Sequence, residues 1–297
     1  MVSYPIKSLL TGLVDYAGLF PPARLDMAAA VEEYARCRRG EEAWILGRFV
    51  VPASRLDELA TLLRERRPGD PWPLSALVAG DPEAARSQID TFNSAYEGLA
   101  RVESVEAKPA DAADIVRIAH AFDRVEVFYE LPWDREPEPM MEVVAANGTR
   151  ELARAKIRSG GITEDAFPSI AQVARFVVAA GRAGVAFKAT AGLHHPLRGE
   201  YRLTYETASP SGTMHGFLNL FLAAAWVKDA GLSEHEVKEL LAERRPGALD
   251  FSAAGVAWRE HKLTAEAIAL ARRTFAISYG SCSFQEPVDD LRHLHLI

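Results

Sequence analysis

Ala155-Lys156-Ile157-Arg158-Ser159-Gly160-Gly161 and Phe187-Lys188-Ala189-Thr190-Ala191-Gly192-Leu193-His194-His195 are built alike. Each reads as a strand with a lysine near its end, running into a glycine-bearing turn and then a helix. In an α/β protein that end of a strand is where chemistry is usually placed. Outward from these two stretches the same unit repeats. Strands are expected at residues 9–16, 44–51, 74–78, 102–107, 125–131, 153–158 and 185–190, with an eighth at either 249–257 or 275–283. Amphipathic helices are expected at 28–38, 54–67, 82–96, 110–122, 169–183, 211–230, 233–244 and 264–274. The Pro-rich stretch 131–140 reads as a loop. Ser169 after Pro168 is a suitable N-cap, and Ile170, Val173, Phe176 and Val177 then share one face. Strict alternation favours a parallel sheet, and seven or eight units favour a closed (β/α)8 TIM-type barrel. The expectation is one α/β domain over residues 1–297. Residues 275–297 either supply the last strand or form a C-terminal tail packed on the barrel or on a partner subunit.

The bulk numbers fit that architecture. The chain has 297 residues, 48% hydrophobic and 25% charged, with a net charge of −7. Such a charge argues against general nucleic-acid binding. The basic pairs Arg38-Arg39, Arg66-Arg67, Arg244-Arg245 and Arg272-Arg273 fall late in expected helices, where cations offset the dipole. Two cysteines, Cys37 and Cys282, fit a reducing cytoplasm rather than a disulfide framework. Lys7 and Asp15 interrupt any apolar N-terminal run, so no signal peptide is expected. The longest apolar run, 217–227, contains Asn219 and is too short for a membrane span. No Gly-x-Gly-x-x-Gly or Walker loop follows an early strand.

Side chains alternate along a strand, which sorts the charges. Val185, Phe187 and Ala189 suit the helix-facing side, so Lys188 points into the barrel. Likewise Ala155 and Ile157 face out, and Lys156 and Arg158 face in. Glu126, Phe128 and Glu130 face in, as do Glu106 and Lys108. Arg48 and Asp15 are weaker members. The expected mouth therefore holds Glu106, Lys108, Glu130, Lys156, Arg158 and Lys188. Buried charges are expensive unless paired or solvated. Six converging at one end of a barrel favour a functional site over a set of structural ion pairs.

Lysine becomes a nucleophile when burial or a neighbouring cation disfavours its ammonium form. Lys156 would have Arg158 on its own strand face and Lys188 on the next strand. The expected chemistry is a Schiff base on Lys156 or Lys188, with Glu130 or Glu106 moving protons.

These residues resemble the class I Schiff-base aldolases of the deoxyribose-phosphate aldolase type. Lys156-Ile157-Arg158-Ser159-Gly160 is similar to that family's sixth-strand Lys-Thr-Ser-Thr-Gly stretch, and Lys188-Ala189-Thr190-Ala191-Gly192 to its seventh-strand Lys-Ala-Ser-Gly-Gly stretch. The resemblance implies that Lys156 is the Schiff-base lysine and Lys188 the second lysine that activates it. It also implies a phosphate-binding turn at Tyr279-Gly280-Ser281-Cys282-Ser283. Arg158 and Ala191 depart from the pattern, each standing where the family has a small residue or a glycine. The resemblance covers two or three short motifs and leaves the family's acidic proton shuttle unplaced.

The function expected is a lyase acting on a small anionic carbonyl compound or phosphorylated metabolite. Arg158, Ser159, Gly160, Gly161, Thr190, Gly192, His194, His195, His215 and Ser281 are the expected substrate contacts. No cofactor and no metal are called for. Nucleic acid and membrane are not expected partners, and homo-oligomerisation is left open. An anion site is weighed at 209–216, read as a helix N-terminus, with Arg158, Arg198 and Arg202 nearby; plain N-capping by Ser211 or Thr213 is the competing account. Two further readings stand beside the lyase. One is a metal-dependent isomerase or hydrolase using His194, His195 and His215. The other is a non-catalytic metabolite-binding barrel.

Overall fold

Seven parallel strands run in sequence around the core: β1 (Val14–Tyr16), β2 (Leu46–Pro52), β3 (Trp72–Val78), β4 (Ala100–Ala107), β5 (Glu126–Leu131), β6 (Ala153–Arg158) and β7 (Phe187–Thr190). A long excursion follows. It carries an antiparallel hairpin of β8 (Gly199–Arg202) and β9 (Ser211–Met214), then a meander of β10 (Asp250–Ser252), β11 (Gly255–Trp258) and β12 (His261–Thr264). The chain returns as β13 (Ala276–Ser281), which pairs in parallel with both β7 and β1 and closes an eight-stranded barrel. The computed structural model describes residues 2–66, 69–147 and 152–297. Arg67 of the Arg66-Arg67 pair lies outside them.

The helices are α1 (Tyr4–Leu10), α2 (Met27–Cys37), α3 (Leu56–Arg66), α4 (Pro82–Ala95), α5 (Ala112–Ala121), α6 (Glu138–Ala146), α7 (Ile170–Ala183), α8 (Phe217–Ala230), α9 (Glu234–Ala242), α10 (Ala265–Thr274) and α11 (Gln285–His293). Helices follow β2 to β7 and cover the outer strand faces, where Ala155, Ile157, Phe187 and Ala189 are fully buried. The (β/α)8 architecture is therefore the one expected. Of the two candidates for the eighth strand, 276–281 enters the barrel wall, so the stretch from Phe275 is not an appended tail. Residues 250–258 belong to the meander instead.

α7 illustrates the local logic. Ser169 Oγ accepts from Gln172 N, and the Gln172 side chain accepts from Ser169 N, forming a capping box. Gly184 ends the helix at φ +66°, a left-handed conformation that glycine adopts freely. Ser169→Ala should lower stability by about 1 kcal/mol in urea titrations. An unchanged midpoint would show that the box contributes nothing here.

Several local expectations give way to tertiary structure. Residues 9–16 split: 4–10 form α1, with Pro5 in its first turn, and only Val14–Tyr16 extend. The loop at 131–140 ends early, because Glu138 begins α6. The expected helix 211–230 is cut. Ser211–Met214 pair as a strand with Gly199–Arg202, and the helix starts at Phe217 with Gly216 as N-cap. That removes the helix N-terminus proposed for an anion at 209–216. α8 is buried on nearly every side, and its buried Asn219 is satisfied: Nδ2 donates to Leu240 O and Glu243 O. Among the described residues no helix is long and apolar enough to cross a membrane. Arg272 does not offset a helix dipole. It is buried and donates to the carbonyls of Leu9, Thr11, Ala276 and Ile277, tying α1 to the entry of β13. Burial pushes its guanidinium down to about 10.

Candidate active site

Strand alternation brings five charged side chains into the barrel interior. β6 and β7 pair with Lys156 opposite Lys188, and β5 and β6 with Glu130 opposite Lys156. Lys156 Nζ lies 2.7 Å from Glu106 Oε2 and 2.9 Å from Glu130 Oε2. Lys188 Nζ lies 2.7 Å from Glu106 Oε1 and 2.6 Å from Asp15 Oδ2. Glu106 thus gives one oxygen to each lysine. Ser75 and Ser278 hydroxyls donate to Glu106 and Asp15, and the Arg48 amide donates to the other Asp15 oxygen. Phe128 turns its ring toward Lys188, 5.2 Å from the ammonium. Every member of this buried set has a partner, as low-dielectric burial demands.

The two lysines differ in access. A cavity of about 320 Å³ opens at the C-terminal end of the strands, and Lys156, Glu106 and Glu130 line it with Arg158, Gly160, Gly161, Thr163, Thr190, His194, Gly280 and Cys282. Lys188 is 0% exposed and does not line it. Burial alone would lower the Lys188 pKa, but Asp15 and Glu106 outweigh it and hold the ammonium above its ordinary value. Burial would raise the two glutamates. The Lys156 and Lys188 charges overcome this at Glu106 and hold it well below the carboxylate range. Lys156, with smaller help from Arg158 and Lys108, also depresses Glu130.

These directions imply acid lability. Glu106 and Glu130 bind protons less readily folded than at their ordinary 4.5. Their contribution is complete above about pH 4.5 and is lost as pH falls through the folded values. Urea midpoints should therefore fall between pH 5 and pH 3, and Glu130→Gln should make that fall shallower. A midpoint flat to pH 3 would contradict it.

The remaining expected residues divide. Arg158, Gly160, Gly161, Thr190 and His194 line the cavity. Ser159 does not; its hydroxyl donates to Thr190 O and Ala191 O and stitches β6 to β7. Gly192, at φ +70°, packs so closely that a Cβ would lie 2.7 Å from Gly160 Cα. Ser281 turns its hydroxyl to Ser283 O. Lys108 follows β4 and is exposed outside the cavity. Arg48 faces inward but at the opposite barrel end, with Glu103 and Glu126.

The histidines do not converge. His195 stacks on Tyr201, ring centroids 3.5 Å apart, and pairs with Asp290 at 2.6 Å. His215 is buried: Nε2 donates to Pro168 O, and Arg198 donates to Nδ1. Burial pushes it down to about 4, so it stays neutral. Arg202 bonds the carbonyls of Glu206 and Thr207. Among the described residues no group of three or more His, Cys, Asp or Glu side chains is arranged to hold a metal. Asp15, a weaker member by sequence, is turned inward by the same alternation that places Val14 and Tyr16 outward. Glu286, which reaches His194, and Tyr205, which bonds Glu286, carried no motif; only folding brings them there.

No family model matches the chain, and no curated protein matches it. Among solved structures it is similar to one assigned to the dihydrodipicolinate synthase family, from Coccidioides immitis. The identity is 14% and the TM-score 0.39, over 96% of this chain and 95% of that one. The functional reading therefore rests on this chain's own geometry.

Proposed function

We propose that the protein is a class I lyase that forms a Schiff base between Lys156 and a small anionic carbonyl compound. The observation that carries the reading is the position of Lys156: it lines the cavity, and its amine lies between two carboxylates, one of them shared with a second, sealed lysine. Glu130 takes the ammonium proton along the 2.9 Å contact. The neutral amine attacks the carbonyl carbon, the C=O π pair moves to oxygen, and the proton that the attacking nitrogen then sheds passes to that oxygen to give the neutral carbinolamine. Glu130 then protonates that hydroxyl, which leaves as water, and the nitrogen lone pair forms the iminium. Lys188 stays an ammonium throughout. It helps keep Glu106 charged and adds positive charge near the reacting nitrogen. Arg158, at the cavity wall and free of any ion pair among the described residues, recognises the substrate anion. The deoxyribose-phosphate aldolase resemblance agrees in placing the two lysines on neighbouring strands.

The test is mass spectrometry after borohydride reduction in the presence of pyruvate, acetaldehyde, hydroxyacetone or dihydroxyacetone phosphate. A stable adduct on Lys156 supports the proposal. Folded protein that adds none of them removes it. Among the described residues the metal-dependent reading finds no converging ligands, and the binding-only reading leaves the two carboxylates on Lys156 without a task.

A further inference from the structure

Iminium chemistry needs a second proton transfer, at carbon or at the substrate hydroxyl, away from the lysine nitrogen. Glu106 and Glu130 are both committed to Lys156. The cavity wall holds another titratable group. His194, 8% exposed, lies in the loop after β7 and lines the cavity. Its Nδ1 is 3.1 Å from Glu286 Oε2 on α11, and the Tyr205 hydroxyl donates to the same oxygen at 2.6 Å. Burial would raise Glu286, but His194 and Tyr205 outweigh it and keep the group an acceptor. Nδ1 is therefore the donor, and neutral His194 carries its lone pair on Nε2. No side chain among the described residues hydrogen-bonds that nitrogen. A carboxylate that fixes the tautomer of an imidazole at a cavity wall is the arrangement a general base requires.

We infer that His194 is the acid–base residue for the carbon-centred half of the reaction, with Glu286 as its positioning residue. The inference rests on the Schiff-base reading of Lys156. In the cleavage direction Nε2 takes the proton of the substrate hydroxyl. The O–H pair becomes the carbonyl π bond, the C–C bond breaks, and its electrons enter the iminium to give a neutral enamine. The first product then departs. The His194 imidazolium returns its proton to the enamine carbon, regenerating the iminium, which water hydrolyses. Atoms and charge balance with no outside reagent.

The neighbouring pair sharpens the contrast. His195–Asp290 also ties this loop to α11, yet His195 does not line this cavity. A purely structural latch would make the two pairs equivalent.

The test separates trapping from carbon acid chemistry on the full chain. Borohydride trapping reports the iminium, while deuterium uptake by pyruvate, acetaldehyde or hydroxyacetone in D2O, followed by NMR, reports protonation at carbon. His194→Gln should trap on Lys156 within a few-fold of wild type yet exchange on the order of 10²–10³ times more slowly, with added imidazole restoring part of the rate. Glu286→Gln should lose roughly tenfold in exchange, and Asp290→Asn should exchange as wild type does. Exchange by His194→Gln within a few-fold of wild type overturns the inference, as does wild-type trapping without exchange. Joint loss of trapping and exchange in His194→Gln overturns it too, by assigning the residue to holding the wall. Absence of trapping in wild type defeats the Schiff-base reading itself, and this inference with it.

Discussion

Lys156→Arg should abolish the borohydride adduct and reduce any turnover on the order of 10⁴-fold or more. Arginine keeps a positive charge opposite Glu106 and Glu130, so the ion-pair network and the fold have a substitute partner. What it lacks is an amine that can lose its proton and attack a carbonyl. A large loss in a well-folded variant therefore isolates nucleophilicity from charge. Peptide mapping of the wild-type adduct should find the added mass on Lys156 alone. An adduct that survives Lys156→Arg, or maps to an exposed lysine, would contradict the assignment. The same experiment addresses Lys188, which is sealed from the cavity and should carry no label.

Lys188→Met should produce the largest stability loss in the barrel, about 3–5 kcal/mol and a fall in Tm on the order of 10 °C. The methionine fills similar space but leaves Asp15 without its ion-pair partner and Glu106 with one ammonium where there were two. Both carboxylates are almost wholly buried, so their charge would face a low-dielectric core. The pH dependence has a definite sign. Orphaned carboxylates favour protonation, so the variant would bind more protons folded than unfolded, and its deficit against wild type should shrink as pH drops from 7 to 5. In wild type the raised Lys188 contributes fully below its ordinary value of 10.5 and is lost only as pH rises through its folded value. Chemical denaturation at pH 5, 7 and 9 distinguishes the two curves. A deficit below about 1 kcal/mol, or one that widens on acidification, would show that Lys188 is not the cation holding this core together.

The two lysine strands show how much of the site a linear reading can reach. Alternation on β6 and β7 identifies Lys156 and Lys188 as inward, because Ala155, Ile157, Phe187 and Ala189 need the helix face. The same rule finds Glu106 and Glu130, whose strands are regular and flanked by apolar residues. It underweights Asp15, since β1 is only three residues long and the apolar residues before it belong to α1. Depth is invisible to it. Lys156 and Lys188 sit at the same register, yet one lines the cavity and the other is sealed.

The errors cluster after β7, where the repeating unit is interrupted by a hairpin and a meander. There local pattern misleads for a physical reason. Ser211-Gly212-Thr213 starts like a helix cap but pairs within Gly199–Arg202, and a strand partner about ten residues earlier in the chain overrides the local preference. Glu286, Tyr205 and His194 likewise meet only because α11 and the β8–β9 loop fold over the mouth.

By itself, then, the sequence determined the barrel, its strand faces and the inward lysines and glutamates, because periods of 2 and 3.6 residues are local and repeat along the chain. Tertiary structure alone decided which lysine meets the cavity, which strand closes the barrel and which carboxylate stands behind His194. Those depend on contacts between residues distant in the chain, which no local period encodes.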